Sequence, residues 1–209
     1  MTPHPRSLRL GLLGLPASGK STVARLLEQR GCLVLDADRL VHQAYEDPEV
    51  GQQVRQLFGD QALDAAGRVI PARLAELVFR NPAERRRLEQ LLHPLVRRKL
   101  QEALASAPPG GVVVLDVPLL AEGGLAAECD IFLFVECSIR TRQQRAATRG
   151  WDGDELARRD AAQLSPDEKL ATTAGKPLWR LANDGSMQDL EKVLEAAWNQ
   201  IITTYPVTT

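Results

Sequence analysis

Apolar residues fall along this chain in two rhythms. Short continuous apolar runs occupy residues 8–13, 32–35, 112–117 and 131–135, with a weaker one at 178–182. Runs of that length, bounded by turn residues, predict strands buried on both faces. Between them, apolar positions recur every three or four residues. Residues 21–29 place Val23, Ala24, Leu26 and Leu27 on one helical face and stop at Gly31. Residues 39–104 read as mostly helical, with breaks at Asp47-Pro48, Gly59-Asp60, Ala66-Gly67 and Asn81-Pro82. Pro94, within that region, reads as a first-turn helix residue. Further helices are predicted over 138–150, 154–163, 166–174 and 187–202. Strands alternating with helices, without a repeat or a long linker, imply an α/β fold with a mostly parallel sheet of about five strands.

Composition narrows the class. A chain of 209 residues and 23.0 kDa suits one medium domain. With 44% hydrophobic and 25% charged residues it is expected to pack a core rather than stay disordered. The net charge of −1 gives no broad basic field, so no nucleic-acid partner is expected. The three cysteines, Cys32, Cys129 and Cys137, form no CxxC pair. They read as small buried hydrophobes in a reducing, cytoplasmic setting rather than as a zinc or disulfide framework. No apolar run approaches the length of a membrane span, so no membrane partner is expected. Arg6 and Arg9 ahead of residues 10–15 imitate the start of a signal peptide, but the apolar stretch is short and holds two Gly.

Those glycines open a phosphate loop. Gly14-Leu15-Pro16-Ala17-Ser18-Gly19-Lys20-Ser21 fits G-x-x-x-x-G-K-S, with a strand expected before it and a helix after it. Glycine lets backbone N–H groups turn inward around phosphate oxygens, and the helix aims its positive end at the same anion. Lys20 then reaches the β- and γ-phosphates, Ser21 offers a hydroxyl to Mg²⁺, and Thr22 is placed for the α-phosphate. ATP and Mg²⁺ are therefore the expected ligands. A dinucleotide fingerprint, Gly11-x-x-Gly14-x-x-Ala17 with Asp36 as the ribose acid, lacks the G-x-G start and leaves Lys20-Ser21 unexplained. Asp64-Ala65-Ala66-Gly67 imitates a GTPase D-x-x-G but precedes the third strand, and no N-K-x-D follows.

Carboxylates sit where such a sheet presents its ligands. Asp36 and Asp38 follow the second strand, and strand carboxyl ends form the binding edge of open α/β sheets. One of the two is expected to cap the next helix and the other to meet a substrate hydroxyl. Asp116 ends the third apolar run and resembles a Walker-B acid, placed to act on Mg²⁺ directly or through water.

Taken together, the segments resemble the dephospho-coenzyme A kinase family. The resemblance runs from Leu10 to about Leu194. It rests on the phosphate loop, Val34-Leu35-Asp36-Ala37-Asp38, Leu91-Leu92-His93-Pro94-Leu95-Val96, Leu115-Asp116-Val117-Pro118-Leu119-Leu120-Ala121-Glu122, Arg145 with Arg149, Arg159-x-x-x-Gln163, and Asn183-Asp184-Gly185-Ser186. It implies a P-loop NTPase fold in one domain, with a nucleoside-monophosphate-kinase-like core (about 6–38, 108–137 and 176–205), a helical substrate region (about 39–107) and a lid (about 138–175). It implies ATP-dependent phosphorylation of the 3′-hydroxyl of dephospho-coenzyme A, in a monomer or weak homo-oligomer. Asp38 matches the family's catalytic base, Arg145 and Arg149 fall at the lid near the transferring phosphate, and Asn183 and Gly185 fall in the loop against adenine. Leu15-Pro16 departs from the usual loop, and residues 172–181 depart from the usual Ala-Asp-x-x-Ile. The alternatives are another P-loop small-molecule or nucleoside kinase, or a non-catalytic nucleotide switch.

Two segments concentrate arginine. Residues 80–99 hold six Arg and one Lys against Glu84 and Glu89, and residues 140–150 hold Arg140, Arg142, Arg145 and Arg149 with no acid. Arginine's planar fork suits phosphates, which fits the second segment to the lid. His93 reads as structural, and Glu122 as a polar contact past the third strand. Trp151, Trp179 and Trp198 read as packing residues.

Overall fold

The computed structural model describes residues 6–79, 81–117, 120 and 125–207. Fourteen regular elements, besides two short 3-10 turns, follow the order β1 (Leu8–Gly14), α1 (Lys20–Glu28), β2 (Leu33–Asp36), α2 (Ala37–Tyr45), α3 (Pro48–Phe58), α4 (Pro71–Phe79), α5 (Pro82–Ser106), β3 (Val112–Asp116), β4 (Ile131–Glu136), α6 (Ile139–Thr148), α7 (Gly153–Ala161), α8 (Pro166–Ala171), β5 (Leu178–Ala182) and α9 (Met187–Thr204). The strands form one sheet in the order β2-β3-β1-β4-β5. β1 pairs in parallel with β3 and β4, and β4 with β5. The chain leaves β1 toward β2 on one side and, after β3, crosses to β4 on the other. The loop after β1 therefore opens at the switch point of the sheet, where strand carboxyl ends leave a crevice.

The continuous apolar runs are strands because both faces are covered. Every residue of β3 is buried, as are the first five of β4. On one face Leu8, Leu10 and Leu12 of β1 meet Val23, Leu26 and Leu27 of α1 and Leu190, Leu194 and Ile201 of α9. Each such side chain taken from water contributes roughly 1.5–3 kcal/mol. On the other face Gly11 lets Phe132 and Cys129 approach its backbone: a Cβ there would lie 2.7 Å from the Phe132 ring and 2.9 Å from the Cys129 sulfur.

The chain resolves into two compact units, Met1–Leu35 with Ala107–Thr209, and Asp36–Ser106. The second has its own apolar centre. Val50, Val54 and Phe58 of α3 bury together with Ala62, Leu63 and Val69 and with Leu74 of α4, and Leu88, Leu91 and Leu95 of α5 pack against them.

Boundaries move where local chemistry intervenes. The residue-166 helix stops at Ala171, three residues early, because Ala174 (φ 51°) and Gly175 (φ 76°) turn left-handed. The hydroxyls of Thr172 and Thr173 also donate back to the Lys169 and Leu170 carbonyls. Gly175-Lys176-Pro177 does not disturb β5. The Pro177 carbonyl accepts from Phe132 N–H, and Lys176 Nζ donates to the carbonyls of Ala126, Ala127 and Cys129. Pro94 does not begin a helix. It lies inside the 25-residue α5, where losing one N–H bond is outweighed by the packing of Leu88, Leu91 and Leu95. Among the described residues no helix is long and apolar enough to cross a membrane.

Candidate functional site

The phosphate loop is a tight backbone turn between β1 and α1. Gly14 (φ 151°), Ala17 (φ 60°) and Gly19 (φ 105°) take positive φ, and Ser18 N–H donates to the Leu15 carbonyl at 3.1 Å. At Gly19, which precedes α1 without a side-chain cap, a Cβ would collide with the amide of Asn183. The Gly19 carbonyl accepts from the Thr22 and Val23 N–H groups at 3.0 and 3.1 Å, so α1 starts directly at the loop. Lys20 Nζ donates to the Gly14 carbonyl at 2.8 Å. Ser21 is exposed and Thr22 half-buried at the mouth of that turn. Ser18 Oγ is buried with no hydrogen-bond partner in this structure. A hydroxyl left so costs about 1–3 kcal/mol, which an incoming polar ligand relieves.

Three distant residues hold this loop. Asn183, directly after β5, is buried and donates from Nδ2 to the Ser18 carbonyl at 2.7 Å. Arg145 of α6 donates to the same carbonyl at 3.1 Å and to Asn183 Oδ1 at 3.2 Å. Arg142, one turn earlier on α6, donates to the Pro16 carbonyl at 3.2 Å. The sequence patterns marked Arg145 and Asn183 but not Arg142, whose burial no local signal announces.

The remaining predicted residues take separate places. Asp116 is buried at the end of β3, one strand from the loop, and the register pairing Gly11 with Leu115 sets it level with Leu12. Arg149 caps the C-terminus of α6 and lies 5.5 Å from the Trp151 ring, which Arg159 covers at 4.0 Å. Trp151 is therefore an arginine platform as well as a packing residue. Gly185 is required by its neighbour: a Cβ would stand 2.8 Å from Asp189 Oδ2, which accepts from Ser186 N–H and Oγ–H to cap α9. Pro118, Leu119, Ala121 and Glu122 lie outside the described residues.

Asp184 accepts from Ser138 Oγ at 2.7 Å, Ser138 N–H at 2.9 Å and Cys137 Sγ at 3.6 Å. These donors, the Ser138 hydroxyl foremost, hold its carboxyl at a pKa of about 2. Cys137 is only half-buried, unlike Cys32 and Cys129, and its sulfur also receives Arg145 Nη1 at 3.5 Å. Burial pushes the Cys32 and Cys129 thiols to about 12.

Asp36 and Asp38 divide their roles within the second unit. Asp36 is the N-cap of α2, accepting from the N–H groups of Asp38 (2.7 Å) and Arg39 (3.3 Å). The Asp38 carboxylate has no hydrogen bond among the described residues. Desolvation, then the nearby Asp36 charge, raise its pKa, against a smaller pull from His42. His42, one turn along α2, places Nδ1 2.8 Å from the Asp38 carbonyl. Only its i, i+4 spacing from Asp38 could have marked it in the sequence.

A parallel sheet of this order, with a glycine-bearing phosphate loop leaving its central strand, defines a P-loop nucleotide-binding protein. The family model described as dephospho-CoA kinase matches residues 8–189. A protein of Deinococcus radiodurans named dephospho-CoA kinase is 41% identical over 206 residues, 96% of this chain and 95% of its own. One of the same name from Thermobifida fusca is 36% identical over 197 residues, 93% and 96%. A crystal structure from Thermus thermophilus superposes with a TM-score of 0.72 at 34% identity, covering 94% of this chain and 98% of that one. The chain belongs to the dephospho-CoA kinase family.

Proposed function

We propose that the chain transfers the γ-phosphoryl group of ATP to the 3′-hydroxyl of the dephospho-coenzyme A ribose, giving coenzyme A and ADP. The observation that carries this reading is the braced loop with Lys20 at its centre, in a chain matched to that family over residues 8–189. Loop N–H groups and the start of α1 bind the phosphates. The Lys20 ammonium exchanges the Gly14 carbonyl for the β- and γ-phosphates, and Asn183 and Gly185 border the adenine. The Asp38 carboxylate takes the 3′-hydroxyl proton as that oxygen bonds to the γ-phosphorus, and the β–γ bridging oxygen leaves with ADP. Its raised pKa makes Asp38 a better proton acceptor than an ordinary aspartate. Arg145 and Arg149 neutralise charge on the moving group. Residues 39–107 serve as the acceptor-binding region and 138–175 as a lid that excludes water.

The Ser21 hydroxyl and the Asp116 carboxylate are hard oxygen donors, which suits Mg²⁺, an ion that keeps several waters and shares phosphate oxygens. An ion held by these residues would supply neutralisation of the nucleotide's phosphate charge. The test is a panel of acceptors with ATP and Mg²⁺. Coenzyme A should form from dephospho-coenzyme A. Turnover of a nucleoside or another alcohol in its place refutes the substrate assignment.

A further inference from the structure

Three consecutive loop residues are each held from the α6–α7 pair. The Pro16 carbonyl accepts from Arg142, Ala17 packs with Ala146, Leu156 and Trp151, and the Ser18 carbonyl accepts from Arg145. Arg142 is the one of these that is both charged and closed to solvent, at 5% exposure. Its guanidinium is gripped bidentately by Asp160 of α7, Nη1 to Oδ1 at 2.7 Å and Nη2 to Oδ2 at 2.9 Å. A buried fork of this kind is rigid, because turning it away from either partner strands a charge in a poorly solvated site. The same Nη1 also donates to the Pro16 carbonyl at 3.2 Å.

We propose that Arg142, fixed by Asp160, is a positioning residue that sets the backbone of the phosphate loop through the Pro16 carbonyl and so tunes affinity for the nucleotide triphosphate. Arg142 touches no substrate in this role. Asp160 aims the fork, and the fork restrains the one loop carbonyl that precedes the left-handed Ala17. The loop N–H groups that meet phosphate are thereby presented before ATP arrives, which lowers the ordering cost of binding. The inference rests on the reading that this loop binds ATP.

The experiment compares wild type with Arg142→Met/Asp160→Leu, whose apolar pair replaces the buried guanidinium and its half-buried partner without leaving either charge alone, an exchange often neutral or favourable for stability. The melting temperature should stay at or above that of wild type. ATP binding by calorimetry and the KM for ATP should weaken by roughly ten-fold, the scale of one charge-assisted hydrogen bond. The KM for the acceptor should move less than about two-fold on the same reasoning. If the double variant does not fold, Arg142→Lys, which keeps the charge and loses the fork, is held to the same split. A folded variant with unchanged ATP affinity, or with both KM values raised alike, overturns the proposal. Wild-type protein that binds no ATP refutes instead the reading of the loop itself.

Discussion

Asn183 and Ser18 lie 165 residues apart, yet the Asn183 amide donates to the Ser18 carbonyl at 2.7 Å, and the space this needs is the missing side chain of Gly19. Asn183→Leu should remove one of two donors from the Ser18 carbonyl, Arg145 keeping the other, and cost about 0.5–1.5 kcal/mol in urea unfolding. Gly19→Ala meets two penalties, the positive φ and the collision with Asn183. In an Asn183→Ala background the collision is gone, and adding Gly19→Ala there should cost only the left-handed backbone, about 1–2 kcal/mol. Equal stability of Asn183→Ala and the double variant would falsify the role given to φ.

Asp38→Asn should lower kcat by about 10²–10⁴-fold, the usual contribution of a general base, with ATP affinity near wild type. The pH dependence isolates the effect of the neighbouring Asp36 charge. Asp38 must be ionised to accept a proton, so activity falls as pH drops through its raised pKa. Asp36→Asn removes a nearby negative charge while keeping a good N-cap for α2. The acidic limb of kcat/KM should therefore move to lower pH in that variant. A limb that stays in place shows that the Asp36 charge does not tune the base.

Asp184 carries a folded pKa of about 2 against an ordinary 3.8. A depressed carboxyl pKa means the unfolded chain binds the proton more readily, so the stabilisation is present above the ordinary value. It is lost as pH falls from there through about 2. Melting temperatures of wild type and Asp184→Asn, taken at steps from neutral pH down to that value, should converge across the window. Parallel curves throughout would remove the Ser138–Asp184 link from the account.

Gly185→Ala presses a Cβ against the Asp189 carboxylate that caps α9. The capping box should open at a cost of about 0.5–2 kcal/mol, the range for a lost N-cap. Gly185→Ala/Asp189→Ala should cost no more than Asp189→Ala alone, because the collision partner is then gone. Chemical denaturation of the three variants decides it.

Much of this protein is legible without coordinates because its signals are local. The apolar runs at 112–117 and 131–135 become β3 and β4 since nothing but a sheet interior suits such continuous burial. The phosphate loop reads from eight adjacent residues because glycine spacing and the lysine act on the backbone beside them. The pair Asp36-Ala37-Asp38 announces two carboxylates but not their division of labour. That follows from the extended backbone of Asp36 at the end of β2, which turns its side chain onto the first N–H groups of α2. Pro94 shows the opposite limit, since packing of α5 overrides a local helix breaker.

The residues that hold the loop become known only from the folded chain. Arg142, Arg145 and Asn183 reach Pro16 and Ser18 across more than a hundred residues because the sheet order sets the end of β1 beside β4 and one strand from β5. No periodicity encodes such a meeting. An arginine on an amphipathic helix carries the same letter whether it faces water, a phosphate or a buried carbonyl. The chemistry available at this site is written in its residues, and the packing of α6 and α7 against the loop decides which arginines hold its backbone.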